Sequence, residues 1–594
     1  MRIRGAFFAA ASLVAACESG TLRPGGDDPA DGGGSRDGAA PIDGSAAPID
    51  GGGVAGEVIR FAPGTPPDAP DRFRRAGVTD PARAAVIHYP LDHVVFPRNV
   101  NAPDIQWEPV GAEGDLFRVR VAGASPLLTA YVAHRGAAFR HDYGFDPEAW
   151  TAMADRAGTR ELTLTVDRWD AARGDVVAGA PVRIRFARGS IAGAVYYWTL
   201  GDFGGTQGRV LRVFQGTGGA PRPENFLPNP PARANGERCA GCHGLSRDGN
   251  RLALSLGDGE FGGVYDVTTD LTGPDPAPVF RFDAGWFFAT FNPEGSRIFM
   301  TDPQQRAFLL DGRTGERVPT PDALPAATHP AWAPDGRTVA YVSSADDAWN
   351  PSRGDLSSIA VTAADRFAAP RVLHRGSDSS GAPEGGALDA YPSFSPDSRF
   401  LAYQHGTRVL LSAPGATGAI YLTTPEPGAT PVRLANLSVG NDAWYPSFTP
   451  FVTPGADPGD VYWLLFYSRR DYGNALAGTR GARRRQIWVA AVSTQPGGGD
   501  PSSVPYWLPG QDVAQENASA FWAPRPCRPN SATCSADAQC CSGNCSDELV
   551  EGQRVCRPPP PKGCRRRGQS CGATSDCCDR TLECAGGVCL PTPG

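Results

Sequence analysis

Residues 238–249 read R-C-A-G-C-H-G-L-S-R-D-G, and the second half of that stretch decides the architecture. Ser246-Arg247-Asp248-Gly249 opens the unit S-R-D-G-N-R-L-A-L. The unit returns as N-P-E-G-S-R-I-F-M from Asn292, A-P-D-G-R-T-V-A-Y from Ala333 and S-P-D-S-R-F-L-A-Y from Ser395. A fifth copy begins at Thr449 and is interrupted by an insertion before Val461-Tyr462-Trp463. A half-copy, Phe521-Trp522-Ala523-Pro524, has no strands after it. Each unit enters through Leu245, Phe291, Trp332, Phe394, Phe448 or Trp522, passes a polar turn, and leaves along alternating hydrophobics. Alternation marks half-buried strands. Repeats roughly 40 to 60 residues apart, with several strands each, carry the periodicity of a β-propeller.

This turn motif resembles the WD40-like repeats of the TolB type, over residues 189–525. Ala194–Trp198 and Val210–Phe214 precede the first turn copy and lack an inner strand, whereas the half-copy at Trp522 is an inner strand without partners. Joining the two would make one blade from both ends of the domain and remove two exposed sheet edges. Six blades are therefore expected: five turn copies and one composite. Counting back seven residues from the turn glycine Gly249 reaches Cys242. The same register reaches Phe288, His329, Tyr391 and Tyr445. In propellers of this type the first strand lines the central channel, so these residues are expected to ring one mouth of it, beside His243.

The remaining chain divides around the propeller. Arg2 and Arg4 precede an apolar run, Gly5–Ala16, too short to span a bilayer. It ends V-A-A-C and resembles a bacterial lipobox, which implies a signal peptide over 1–16 and a lipidated Cys17. Glu18 after the cysteine favours the outer membrane by the same resemblance. Residues 17–56 are Gly, Ala, Asp and Pro with almost no large apolar side chains, a composition that cannot offset its ordering entropy. They read as a tether. Residues 57–188 carry alternating runs at Ala85–His88, Leu116–Val121, Leu127–Ala133, Glu161–Val166 and Val182–Phe186, one short helix at Pro147–Ala157, and Trp107. They resemble an immunoglobulin-like or fibronectin-type β-sandwich with a core tryptophan. The fold class expected is thus all-β and multidomain. His88, His93, His134 and His141 are spread through this domain without metal-ligand spacing.

Twelve of the 15 cysteines crowd the tail. Cys527, Cys534, Cys540, Cys541, Cys545 and Cys556 fill residues 526–557; Cys564, Cys571, Cys577, Cys578, Cys584 and Cys589 fill 563–594. Spacing alone leaves their pairing open. The pattern resembles the inhibitor cystine knot. That resemblance implies Cys527–Cys541, Cys534–Cys545 and Cys540–Cys556, then Cys564–Cys578, Cys571–Cys584 and Cys577–Cys589. Modules this small need bridges worth about 2–4 kcal/mol each. So many cysteines also mark an oxidising compartment.

Cys239, Cys242 and His243 form C-x-x-C-H, the spacing that attaches a c-type haem through two thioethers and one axial imidazole. Under that reading His329 is the candidate distal ligand of the iron. A local disulfide between Cys239 and Cys242, stapling the start of a blade, and a redox-active dithiol stand beside it. A net charge of -7 without a dominant basic block gives no sign of a nucleic-acid partner. The runs Arg483–Arg485 and Arg565–Arg567 read as solvated loops or as contacts to anionic lipid or polysaccharide. There is no H-E-x-x-H helix, and no catalytic residues are assigned. Two functions fit: a surface lipoprotein that binds a protein or cell-envelope polysaccharide through its propeller, or a monohaem electron-transfer protein of the envelope.

Overall fold

The computed structural model describes residues 56–123, 127–200, 208–216, 221–409 and 415–524. Of the C-terminal stretch it describes 533–534, 545–550, 552–557, 577, 582–585 and 588–591. The signal segment, Cys17 and nearly all of the tether lie outside these residues, as do Cys527, Cys540, Cys541, Cys564, Cys571, Cys578 and the run Arg565–Arg567. Among the described residues, no helix is long and apolar enough to cross a membrane.

The protein is all-β. Its largest part is a ring of six blades. Blade 1 is composite: the inner strand Glu516–Ala523 pairs antiparallel with Gly193–Leu200, which pairs with Arg209–Gln215. Blades 2 to 6 begin with the inner strands Ala240–Leu245, Phe288–Phe291, Thr328–Trp332, Ala387–Phe394 and Trp444–Pro454. Each is followed by its next strand in an antiparallel hairpin. The polar turns are one structure repeated. The amides of Ser246, Asn292, Ala333 and Ser395 donate to the carbonyls five residues on, at 2.8–2.9 Å. Gly249, Gly295, Gly336 and Ser398 then take φ of 74°, 66°, 78° and 63°, which is why glycine holds the position in three copies.

Closure is built from main-chain pairing plus close approach. Gly193 sits at φ 138°, and a Cβ there would lie 2.2 Å from the Ala523 carbonyl oxygen. Only glycine lets the two ends of the ring meet at this spacing. Deeper in the pair, the Thr199 hydroxyl donates to Asn517 Oδ1 at 2.9 Å, out of solvent.

The N-terminal domain pairs a seven-stranded sheet with a three-stranded one, Ile87–Tyr89, Ile105–Trp107 and Asp142–Tyr143. This partition is uneven for a sandwich. Trp107 is fully buried between the layers, its ring 5.1 Å from Phe117. The expected helix spans Pro147–Ala157, capped by Asp146 accepting from the Ala149 amide at 2.8 Å. Its Trp150 packs edge-on against Phe186.

Sandwich and propeller share one core. Phe96 meets Tyr506 at 5.8 Å, and Val94 bridges to Val504. The insertion in the fifth repeat makes the hairpin at Gly455–Gly459, whose Gly455 and Pro454 carbonyls take the amides of Arg188 and Gly189. Most telling is Asn474, which is fully buried. It donates to the carbonyls of Trp107, Arg140 and His141 and accepts at Oδ1 from the amides of Leu476 and Ala477.

The basic run 483–485 is not wholly solvated: Arg485 is buried and pairs with Glu516 at 2.8 Å. In the tail, Cys577 and Cys589 are disulfide-bonded, one of the pairs the knot resemblance implies. Cys534 and Cys584 are also in disulfides.

Asn474→Ala strands buried carbonyls and amides, each costing about 1–3 kcal/mol. The variant is expected to lower the thermal unfolding midpoint by several degrees in calorimetry. Leu476→Ala, at an exposed position, is expected to leave it in place.

Candidate functional site

The channel site follows from a repeated flaw in the inner strands. Pairing slips a residue between Gly241 and Gly244, Thr328 and Ala331, Ala390 and Ser393, and Trp444 and Ser447. In each slip lies a residue with positive φ: Cys242 at 38°, His329 at 47°, Tyr391 at 51° and Tyr445 at 52°. Such a bulge re-aims a side chain, here into the channel. In three blades the next residue is Pro330, Pro392 or Pro446, which has no N–H to offer the ladder. In blade 2 His243 occupies that position. Phe288 opens its strand without a bulge and reaches the ring directly.

The five residues of the expected ring do converge. His329 lies 4.4 Å from Phe288 and stacks on Tyr391 at 4.0 Å, and Tyr391 meets Tyr445 at 3.8 Å. Cys242 packs beside Phe288 and Tyr391. Trp349, from a loop of blade 4, stacks over Phe288 at 5.8 Å, and Phe521 packs on Tyr445 at 5.9 Å. A cavity of about 190 Å³ is lined by these ring residues and by the turn prolines Pro293, Pro334, Pro396 and Pro450. Ser519 is the sixth ring position, with φ 48° in the same kind of slip. Its place three residues before Trp522 was the sequence signal for it, matching the offset from His329 to Trp332. Trp349 had no such signal, because it belongs to a loop outside the repeat.

Electrostatically the ring is a dry place. Burial holds His243 down at about 4 and His329 at about 3, so both are neutral at ordinary pH. His243 has its Nε2 3.3 Å from the Tyr196 carbonyl and its ring on Phe521. His329 is 3% exposed, and among the described residues neither of its ring nitrogens has a partner. Burial, with Asp258 adding to it, raises the Cys242 thiol well above its usual value. Burial likewise raises the Tyr391 and Tyr445 phenols.

These residues do not fit a c-type haem. Thioether attachment consumes both thiols of C-x-x-C-H, yet Cys239 is buried in a disulfide and Cys242 alone is a free thiol. Neighbouring side chains on the strand also diverge: Cys242 turns into the ring while His243 packs between Phe521 and Tyr196. Both histidines line the cavity, with His243 held at the Tyr196 carbonyl and against Phe521. The local Cys239–Cys242 disulfide is overturned by the same free thiol, and so is a dithiol of this pair. Among the described residues, no group of three or more His, Cys, Asp or Glu side chains is placed to hold a metal ion. In the sandwich, His88 bonds Glu108, while His134 and His141 pack against each other at 5.0 Å.

Fold and site together define a closed β-propeller with an aromatic ring in its channel. No protein-family model matches the chain, and no curated protein matches it. Among solved structures the chain is similar to TolB from Acinetobacter baumannii, at 12% identity over 61% of this chain and 80% of that one, with a TM-score of 0.36. It is similar to a chain of a nidogen/laminin complex at 13% identity, over 56% and 100% of the two chains, with a TM-score of 0.33. A third similar chain, of Kuenenia stuttgartiensis hydrazine synthase, has 12% identity over 52% and 73%, with a TM-score of 0.25.

Two outcomes check the site's electrostatics. Cys242 is expected to react slowly with iodoacetamide at pH 8, faster as pH rises past 9, with Cys239 unlabelled until reductant is added, read by peptide mass. The unfolded chain protonates His243 and His329 near 6.5, above their folded values of about 4 and 3. Their contribution to stability is therefore complete above pH 6.5 and is lost as pH falls through 4 and 3. His329→Gln is expected to flatten the acid limb of a plot of unfolding midpoint against pH.

Proposed function

We propose that the protein is a binding protein of the bacterial envelope, anchored through Cys17 at the outer membrane, whose ligand site is the aromatic ring of the propeller channel. One observation carries the site: His329 is buried with both ring nitrogens unpartnered among the described residues, at the edge of a cavity walled by Phe288, Tyr391 and Tyr445. An unpartnered buried polar group costs about 1–3 kcal/mol, and a ligand that bonds to it recovers that cost. The walls take a flat apolar body by stacking. A neutral imidazole takes one uncharged donor or acceptor. A cavity this size suits a small planar group, either a free molecule or an aromatic side chain presented by a partner. The anchor reading rests on the lipobox-like V-A-A-C, and the knot-like tail suits the same oxidising setting. A protein or an envelope polysaccharide as the partner on the blade faces is compatible with this site.

Ligand-observed NMR on residues 18–594 with phenol and indole tests the channel. Saturation transfer to both probes is expected, with loss in Tyr391→Ala and weakening in His329→Leu. Transfer that is unchanged in both variants places binding elsewhere.

A further inference from the structure

A second cluster lies outside the channel, where blades 4 and 5 join. Arg353 and Gly354 of blade 4 pair in parallel with Ala387 and Leu388 of blade 5, which brings the strand end at His374 beside Asp389. His374 Nδ1 lies 2.6 Å from Asp389 Oδ2, and His374 Nε2 lies 3.3 Å from the Ser379 hydroxyl. Asp389 is fully buried, and its second oxygen is 2.7 Å from His405 Nδ1. The order matters. With Nδ1–H donated to the carboxylate, the Nε2 lone pair faces the hydroxyl, which is the tautomer a serine nucleophile needs.

The loop that carries Ser379 is held at both ends. Gly376 donates its amide to Asp355 at 3.2 Å, and a Cβ there would meet the Ala387 carbonyl oxygen at 2.3 Å. At the far end, Glu384 takes the Tyr421 hydroxyl at 2.7 Å and pairs with Arg433. Ser379 between these anchors, and His374 at the strand end just before them, are half-buried and reach solvent. Side chains on a braced loop over a fully buried carboxylate are pre-positioned rather than free to swing.

We propose that Ser379, His374 and Asp389 form a nucleophile, base and orienting carboxylate that hydrolyse acyl esters. As the Ser379 oxygen bonds to the acyl carbon, its proton passes to His374 Nε2. The bond from that carbon to the leaving alcohol breaks, and the alcohol departs with the proton. Water then attacks the acyl-serine, gives its proton to His374, and the carboxylic acid leaves as the proton returns to Ser379. Atoms and charge balance with water as the only co-reactant. Asp378 and Asp355 flank the base, so neutral or cationic leaving alcohols are favoured over anionic ones.

The groups around His374 are Asp389 of its neighbouring strand, His405 beyond it, Asp355, Asp378 and Arg375 on the loop side, and the ring of Tyr403 at 6.0 Å. The Asp389 hydrogen bond comes first among the causes that raise His374, against burial. The imidazole thus becomes a free base only on the alkaline side of its usual value, and the rate is expected to climb there with pH.

The test is covalent labelling of residues 18–594 by a fluorophosphonate, read by peptide mass, alongside p-nitrophenyl acetate hydrolysis. An adduct on Ser379 is expected, absent in Ser379→Ala and in His374→Gln. Hydrolysis is expected to fall about 100-fold or more in both variants, with the wild-type rate rising as pH climbs above the usual imidazole range. Ser379→Ala removes one surface hydroxyl, so an unchanged unfolding midpoint separates lost chemistry from lost fold. Absence of a Ser379 adduct in the wild type, or equal hydrolysis by a folded Ser379→Ala, overturns the proposal.

Discussion

Everything in this molecule depends on a single pairing, that of Glu516–Ala523 with Gly193–Leu200. An open array of blades would leave two unpaired strand edges and no enclosed channel. Pairing the last strand with the first removes the edges and fixes the circumference, and a fixed circumference sets how far the inner strands stand apart. Gly193 is the point where this demand is sharpest, since the backbones there approach within the radius of a methyl group. The channel site is thus a consequence of closure rather than of any one blade.

The bulges turn that geometry into a site. A regular inner strand would alternate its side chains between neighbouring blades. The slip at Cys242, His329, Tyr391, Tyr445 and Ser519 takes one residue out of that alternation in five of the six blades and points it at the axis. The cost is backbone strain at non-glycine residues with positive φ, and it is met by packing and pairing on either side. Because the same device recurs, the ring's composition can vary while its geometry stays. Cys, His, Tyr and Ser occupy equivalent bulged places.

The sandwich is not an appendage on a linker. It shares a core with blades 1 and 6 and is tied through Asn474, Tyr89 and the insertion hairpin. The insertion in the fifth repeat serves this joint, its Gly455 and Pro454 carbonyls holding the amides of Arg188 and Gly189. The acid-base cluster at blades 4 and 5 sits at a different kind of seam, where two blades pair edge to edge and bury a carboxylate between two histidines.

Much of this was legible in the residues. The turn copies from Ser246 to Ser395 gave the blade number, the orphan strands at Ala194 and Trp522 gave the closure, and a fixed offset from the turn gave the ring. These are local, periodic signals, and each follows from strand alternation or turn stereochemistry. The chain also carries C-x-x-C-H at Cys239–His243, and there local spacing misled. Whether two thiols can serve one group depends on which partner each meets in three dimensions, and Cys239 is in a disulfide while Cys242 is free. Trp349 over the ring, Asn474 between domains and the Ser379–His374–Asp389 contact were invisible for the same reason. Each joins residues that no period relates, brought together only because the closed ring and its seams fix where the loops return.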